Sequence, residues 1–251
     1  MELISGGGLV VKHVLLNNIE HKELRIASYQ SAQFGDNVNY ALIVPSELKT
    51  AKNFYPIFIQ KDSANGHFFF SALFGFQEGE NLFLDENGWN AEYIPLSIMR
   101  QPFLIGQQSY VENGEQKVRR VIHIDMDSPR IHQIEGRLLF NESGMASEYL
   151  EGVANMLEEL HHGLFEAGQL IERLISYNLL EPLTLKVAFN NHKKYEIPDM
   201  YTINEDVLRK LSDEQIVSLY RDGSLEKIYS ILHSQARVST LIRLKNLQDS
   251  A

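Results

Sequence analysis

The densest group of metal-ligating residue types is His123-Ile124-Asp125-Met126-Asp127. On a strand the side chains alternate, so His123, Asp125 and Asp127 share one face while Ile122, Ile124 and Met126 take the other. A histidine and a carboxylate at that spacing can begin a two-histidine, one-carboxylate iron site, or supply two ligands to zinc. The third ligand would come from elsewhere, and His132, His161, His162 and His192 are available without diagnostic spacing. The same five residues also read as a half-buried strand with a wet polar face, running into a turn at Ser128-Pro129. His161-His162 is a poorer pair, because adjacent residues diverge by about 100° on a helix. A histidine hydrogen-bonded at a helix interface is the expectation there.

A second constellation mixes aromatic and polar groups around the only tryptophan: Glu80, Asn81, Trp89, Tyr93, Arg100 and Gln101. An aromatic wall supplies contact area, and arginine with amides fixes orientation, so this group is the candidate site for a protein or peptide partner. Buried core with satisfied turns is the competing reading. Asp85-Glu86-Asn87-Gly88 is similar to the start of a calcium loop, but its glycine falls too early and the closing glutamate is missing. There is no cysteine and no G-x-S-x-G, and Gly6-Gly7-Gly8 precedes a strand instead of following one. Thiol, serine-elbow and phosphate-loop chemistries are therefore not indicated, and no catalytic residue is assigned.

The elements that must position these residues fall into two parts. Over residues 1–145, short β-branched and aromatic runs alternate with turn clusters. Strands are expected at Val10–Leu16, Val38–Val44, Pro56–Lys61, His67–Phe76, Asn81–Leu84, Phe103–Val111 and Lys117–Asp125. Asn65-Gly66 and Asn113-Gly114 predict hairpins, since both residue types tolerate positive φ. Over residues 146–251 the period becomes helical. Leu150, Val153, Leu157, Leu160, Leu164, Ala167, Ile171 and Leu174 make one amphipathic helix over Glu148–Tyr177, with Gly163, Ala167 and Gly168 permitting close backbone approach.

A small hairpin follows, Thr184–Phe189 with Lys194–Ile197, and helices close the chain. Asn204 and the Ser212/Gln215 capping box start two of these helices, and Gly223 precedes the terminal one. Arg237, Arg243 and Lys245 complement the terminal dipole. The fold class is α+β: an antiparallel strand-rich N-terminal part, then a long amphipathic helix, a small hairpin and C-terminal helices, with the two parts able to form one domain.

The net charge of −10 divides evenly about residue 147, so a phosphate backbone is repelled and no nucleic-acid partner is expected. The longest low-charge apolar run, Phe68–Phe76, is far short of the roughly 20 residues a membrane span needs. The first residues carry neither a basic nor an apolar signal region, which gives the expectation of a cytoplasmic protein.

The order of the segments resembles the SapC family of bacterial proteins over nearly the whole chain. The matching stretches include Leu16-Asn17-Asn18 with Glu20-His21, Lys61-Asp62, Leu73-Phe74-Gly75, Gly79-Glu80-Asn81-Leu82-Phe83, Gly88-Trp89, Tyr93-Ile94-Pro95 and Arg100-Gln101-Pro102-Phe103. Glu159-Leu160-His161, Leu179-Leu180-Glu181-Pro182 and Tyr201-Thr202-Ile203-Asn204-Glu205 continue the match. Gly79–Phe83 and Arg100–Phe103 are its most specific segments. The resemblance implies a non-catalytic accessory or binding protein, without a cofactor, linked to surface-layer proteins and TonB-dependent uptake at the cell envelope. It implies neither the peptide-transport permease that shares the family's name nor a set of catalytic residues. His123 departs from the family's pattern for that strand, an acidic run without the histidine. A metal-dependent enzyme built on His123 and Asp125 with iron or zinc, a surface-layer component and a homo-oligomer stand as alternatives.

Overall fold

The computed structural model describes residues 12–191 and 193–250. Val10, the Gly6-Gly7-Gly8 lead, the other N-terminal residues read for a signal and His192 lie outside them.

In chain order the strands are β1 (His13–Leu15), β2 (Arg25–Ile26), β3 (Tyr40–Ile43), β4 (Ile57–Lys61), β5 (Phe68–Leu73), β6 (Leu84–Asp85), β7 (Gly88–Trp89), β8 (Phe103–Glu112), β9 (Glu115–Asp125), β10 (Ile131–His132), β11 (Arg137–Leu138), β12 (Leu180–Ala188) and β13 (Lys194–Ile203). The helices are α1 (Leu48–Ala51), α2 (Leu96–Met99), α3 (Glu148–Ser176), α4 (Glu205–Leu208), α5 (Asp213–Arg221), α6 (Ser224–Ser234) and α7 (Val238–Gln248). All strand pairs are antiparallel, and the fold class is α+β with helices closing the chain.

Contacts divide the chain into two compact units that interleave in sequence, residues 12–29 with 100–158 and residues 30–99 with 159–250. Each unit draws on both sides of the change of period at residues 145 and 146. The helix α3 begins in the first unit and ends in the second.

In the first unit the strands run β1-β9-β8 in one sheet and β10-β2-β11 in another. The β8–β9 hairpin closes on Asn113 and Gly114, both at positive φ (54° and 82°), with Glu112 opposite Glu115. This is the two-residue turn that Asn-Gly favours. Ile26, Phe103, Ile124, Leu139, Phe140, Leu150, Val153 and Leu157 form the core of this unit.

In the second unit a five-stranded sheet runs β12-β13-β4-β5-β3. Ile57, Phe58 and Ile59 are consecutive and all buried, the mark of a strand covered on both faces. The small hairpin expected near Thr184 is longer than its sequence pattern, and it joins the sheet through Met200 opposite Gln60 and Tyr201 opposite Ile59. Asn65-Gly66 does connect paired strands, but through a longer loop in which Asp62 and His67 exchange backbone contact.

The α3 stripe is buried as its spacing demands, except that Leu164 is only partly covered. Gly163 lies against Val44, whereas nothing approaches Gly168, so only the first of the expected close contacts is made. His161 and His162 are both exposed, with rings 5.7 Å apart. The expectation that His161 sits at an interface is corrected: its position falls just outside the buried stripe. Asn204 caps α4 through the Val207 amide at 2.9 Å, and Ser212 with Gln215 forms the capping box of α5. The terminal helix is broken at Gln235–Arg237 into α6 and α7.

Candidate functional site

The short apolar run after Asn81 suggests a strand at Asn81–Leu84, but Asn81, Leu82 and Phe83 form a turn that leads into β6. The Asn81 side chain decides this. Its Oδ1 accepts the Phe83 amide at 3.0 Å, a local bond that competes with a strand ladder, while its Nδ2 donates to the Asp36 carbonyl at 2.8 Å. Upstream, a Cβ on Gly75 would collide with the carbonyl oxygen and Cγ of Glu80, so glycine there lets the loop fold back on itself. Residues 75–86 thus make a tight, self-bonded loop at the edge of the second unit's core.

Glu80 is the hinge between this loop and α7. Its side chain is 8% exposed; Oε2 accepts the Phe76 amide at 2.7 Å, and Oε1 meets the Lys245 ammonium at 3.0 Å. Lys245 is 10% exposed and also reaches Asp249, one helical turn on, at 2.8 Å. The bond to Asp249 and the partnership with Glu80 hold the ammonium above its usual pKa, against the opposing effect of burial. Lys245 stands in the last turn of α7, where a cation complements the helix dipole, and it joins Asp249 at that end to a buried carboxylate from a distant loop.

A cleft of about 510 Å³ opens beside this pair. Asn37, Gln77, Asp85, Glu86 and Gln248 stand on its walls with Glu80, Asn81 and Lys245. Asp85 is oriented by two donors, the Asn87 amide at 2.7 Å and Asn90 Nδ2 at 2.5 Å. Glu86 is exposed, and among the described residues it makes no hydrogen bond or ion pair.

The other residues of the candidate site are placed elsewhere. Trp89 donates its indole N–H to the Tyr55 hydroxyl at 2.8 Å and stands edge-on to Phe74, with ring centroids 5.0 Å apart. Tyr55, wholly buried, donates its own hydroxyl hydrogen bond to the Tyr93 carbonyl. Burial raises the Tyr55 hydroxyl above its usual range. Tyr93 donates to Glu47 Oε1 at 2.7 Å, and burial, together with the Glu47 charge, raises its pKa too. Glu47 also accepts the Leu96 amide at 2.9 Å and the Val44 amide at 2.8 Å. Burial pushes the Glu47 carboxyl up, more than these donors pull it down. Trp89 and Tyr93 therefore belong to a chain of hydrogen bonds that ties residues 89–96 to Tyr55 and Glu47. Neither lines the cleft.

Arg100 and Gln101 belong to the first unit. The Arg100 guanidinium donates to the Phe103 carbonyl at 2.8 Å, and burial pulls its pKa below the usual value. Gln101 is exposed and precedes Pro102 through a cis peptide. The structure thus brings Glu80 and Asn81 together at one cleft and leaves Arg100 and Gln101 in a separate turn.

His123 and Asp125 do share a face of β9, opposite Leu15 and His13 of β1. The His123 ring lies over Gly106, where a Cβ would come within 2.5 Å of it, and Asp125 Oδ1 accepts the Asp127 amide at 3.0 Å. Among the described residues, no three histidine or carboxylate groups come close enough to hold a metal ion. The pair gains no third donor there. No described helix is long and apolar enough to cross a membrane.

What the residue pattern missed are Lys245, Gln248, Asn37 and Gln77, since nothing in their own neighbourhoods says that they converge. Searches of curated proteins and of solved structures each return no match. A scan against protein-family models does: the SapC model matches residues 16–241, nearly the whole chain, both of the candidate segments Gly79–Phe83 and Arg100–Phe103 included, and the chain therefore belongs to the SapC family.

Proposed function

We propose that this SapC-family chain is a non-catalytic accessory protein that acts in the cytoplasm and holds a protein or peptide partner in the cleft between the 75–86 loop and α7. One observation supports this reading above the others. Glu80 and Asn81 of the Gly79–Phe83 segment are locked by hydrogen bonds within the chain, and they line the same cleft as Asp85 and Glu86. The groups there are amides, carboxylates and one ammonium whose proton is held by Asp249 and Glu80, which suits recognition better than proton transfer. The family's link to surface-layer proteins and TonB-dependent uptake makes an envelope protein, before or during its handling by the cell, the class of partner.

A photoreactive residue placed at Glu86, with a second chain carrying it at the exposed Glu172 of α3, tests this in living cells. A discrete adduct with an envelope polypeptide from position 86, absent from position 172, is the expected result. The same adducts from both positions, or none from 86, would overturn the proposal.

A further inference from the structure

A sheet edge presents unpaired N–H and C=O groups to which another chain can add, and folded proteins blunt such edges with proline, lysine, bulges, short strands or a covering element. Most edges of this chain are blunted in these ways. β12 carries Pro182, Lys186 and a register shift between Leu183 and Leu185. At the other edge of that sheet, the Leu42 carbonyl of β3 accepts the Ser97 hydroxyl at 2.6 Å. Among the described residues β1 is three residues long, and β6, β7, β10 and β11 are two each. β8 is the exception: it has ten residues, no proline, no lysine and no break in its register, and β9 is its one strand partner among the described residues.

The turn at Asn113-Gly114 decides which backbone groups of β8 point outward. A two-residue hairpin makes Glu112 and Glu115 a hydrogen-bonded pair, and bonding then alternates, so Tyr110, Gln108, Gly106 and Leu104 bond to β9. Phe103, Ile105, Gln107, Ser109 and Val111 turn their amides and carbonyls away from it. Phe103 agrees: its amide donates to the Arg100 carbonyl at 2.8 Å, and its carbonyl accepts from the Arg100 guanidinium at 2.8 Å. That clamp ends the edge on one side, and the turn ends it on the other. Among the described residues, no group bonds to the outward amides and carbonyls of Ile105, Gln107, Ser109 and Val111.

These four residues are symmetric about Gln108, and this argues for the occupant. We infer that β8 pairs antiparallel with β8 of a second copy of this chain, on a twofold axis at Gln108. Ile105 then meets Val111 of the second copy and Gln107 meets its Ser109, so all four residues find partners, and each pair exchanges two backbone hydrogen bonds. Moving the axis to Gln107 would set Val111 against the clamped Phe103, and moving it to Ser109 would set Ile105 against the turn. The side chains fit the same register: Val111, 68% exposed, gains a β-branched neighbour in Ile105 of the second copy. Charge permits it, because the chain carries −10 but Phe103–Val111 holds no charged residue, so the pairing segments meet without repulsion. This interface lies apart from the cleft and does not rest on its reading as a partner site.

The chain has no cysteine, so a single introduced thiol can link only to a second copy. Gln108→Cys places it at the axis, where residues of a non-hydrogen-bonded pair stand about 4.5 Å apart, within reach of a disulfide. The exposed Gln116→Cys on β9 is the control. Sedimentation equilibrium compares the wild type with Ser109→Pro, which removes an amide that bonds nothing within the chain, and with Val111→Lys, which sets a charge against Ile105 of the second copy. Circular dichroism checks that each variant folds. The expected results are a wild-type dimer, a dissociation constant raised about tenfold or more by either variant, since the twofold applies each change twice, and a disulfide dimer from Gln108→Cys but not from Gln116→Cys. A monomeric wild type, or a dissociation constant that a folded variant leaves unchanged, overturns the inference. Linkage through Gln116→Cys as fast as through Gln108→Cys overturns it too.

Discussion

Changing Lys245 to methionine keeps most of the side chain's apolar length and removes its charge, which leaves Glu80 with the Phe76 amide at 2.7 Å and Gln77 Nε2 at 3.5 Å as its donors. Removing one member of a buried ion pair typically costs about 3–5 kcal/mol, because the other charge stays buried without its partner. Glu80 keeps that amide, and both side chains retain about a tenth of their surface, so the lower end applies: about 3 kcal/mol. Glu80→Gln paired with Lys245→Met removes both charges and should restore all but about 1 kcal/mol. Glu80→Gln alone leaves Lys245 its Asp249 partner and should cost about 1 kcal/mol, so the coupling in the double-mutant cycle is about 3 kcal/mol. Trp89, the only tryptophan, lies in the same unit, so urea unfolding followed by its fluorescence reads the relevant transition. A cost below about 0.5 kcal/mol for Lys245→Met, the scale of an exposed pair, would refute the argument that α7 is fastened to the cleft loop through this contact.

Further outcomes follow from Glu47 and from two glycines of α3 in the second unit. Burial raises the Glu47 carboxyl above its ordinary value of 4.5, so the folded state holds that proton more tightly than the unfolded chain. The associated stability is fully present below the unfolded value and is lost as pH rises through the folded one, so the wild type should gain on Glu47→Gln as pH falls from 7 toward 4.5. Urea midpoints of both proteins at pH 7 and pH 5 decide it, and a wild-type-minus-variant difference that stays constant or falls at pH 5 contradicts the linkage. In α3, Gly168→Ala should stabilise by about 1 kcal/mol, since no atom lies within 4 Å of the new Cβ. Gly163→Ala should destabilise by about 1 kcal/mol: its Cβ would stand 2.6 Å from Val44 Cβ, an atom that no rotamer moves, and overpacking costs about 1–3 kcal/mol against the same helical gain. Thermal or urea midpoints shifting in the same direction for both variants would show that the contact yields.

Local chemistry made much of this fold readable. The steps of three and four from Leu150 to Leu174 specify α3, and Asn113-Gly114 supplies the positive φ angles of the β8–β9 turn. Ser212 and Gln215 satisfy each other's backbone donors, so that helix start is written within four residues. Asn81–Leu84 misled because Leu82-Phe83-Leu84 is a short apolar and aromatic run like that of a strand, while the deciding bond is a side-chain acceptor two residues from its donor. The interleaving of the two units leaves no trace in a period or a composition, because it depends on which distant segments share a core. The short strands β2, β10 and β11 are two residues each, too brief for any alternation to register.

The candidate site divides along the same line. Glu80, Asn81, Trp89 and Tyr93 stood out because polar and aromatic residues cluster in sequence, but clustering does not say which polar atoms the fold consumes. The Trp89 indole, the Tyr93 hydroxyl and the Asn81 amide each find a partner within the chain, at Tyr55, Glu47 and Asp36. Buried polar groups that are satisfied in this way hold a structure in one conformation and have nothing left to offer a ligand. Capacity remains where the donors run out, at Asp85 and Glu86 on the outer side of the loop. The inner bonds matter to recognition nonetheless, since an acceptor pair is selective only if its spacing is fixed before the partner arrives. Breaking the bonds that hold Asn81 to Asp36 and Phe83, or Glu80 to Phe76, should therefore weaken partner binding by freeing the cleft wall that these two residues form.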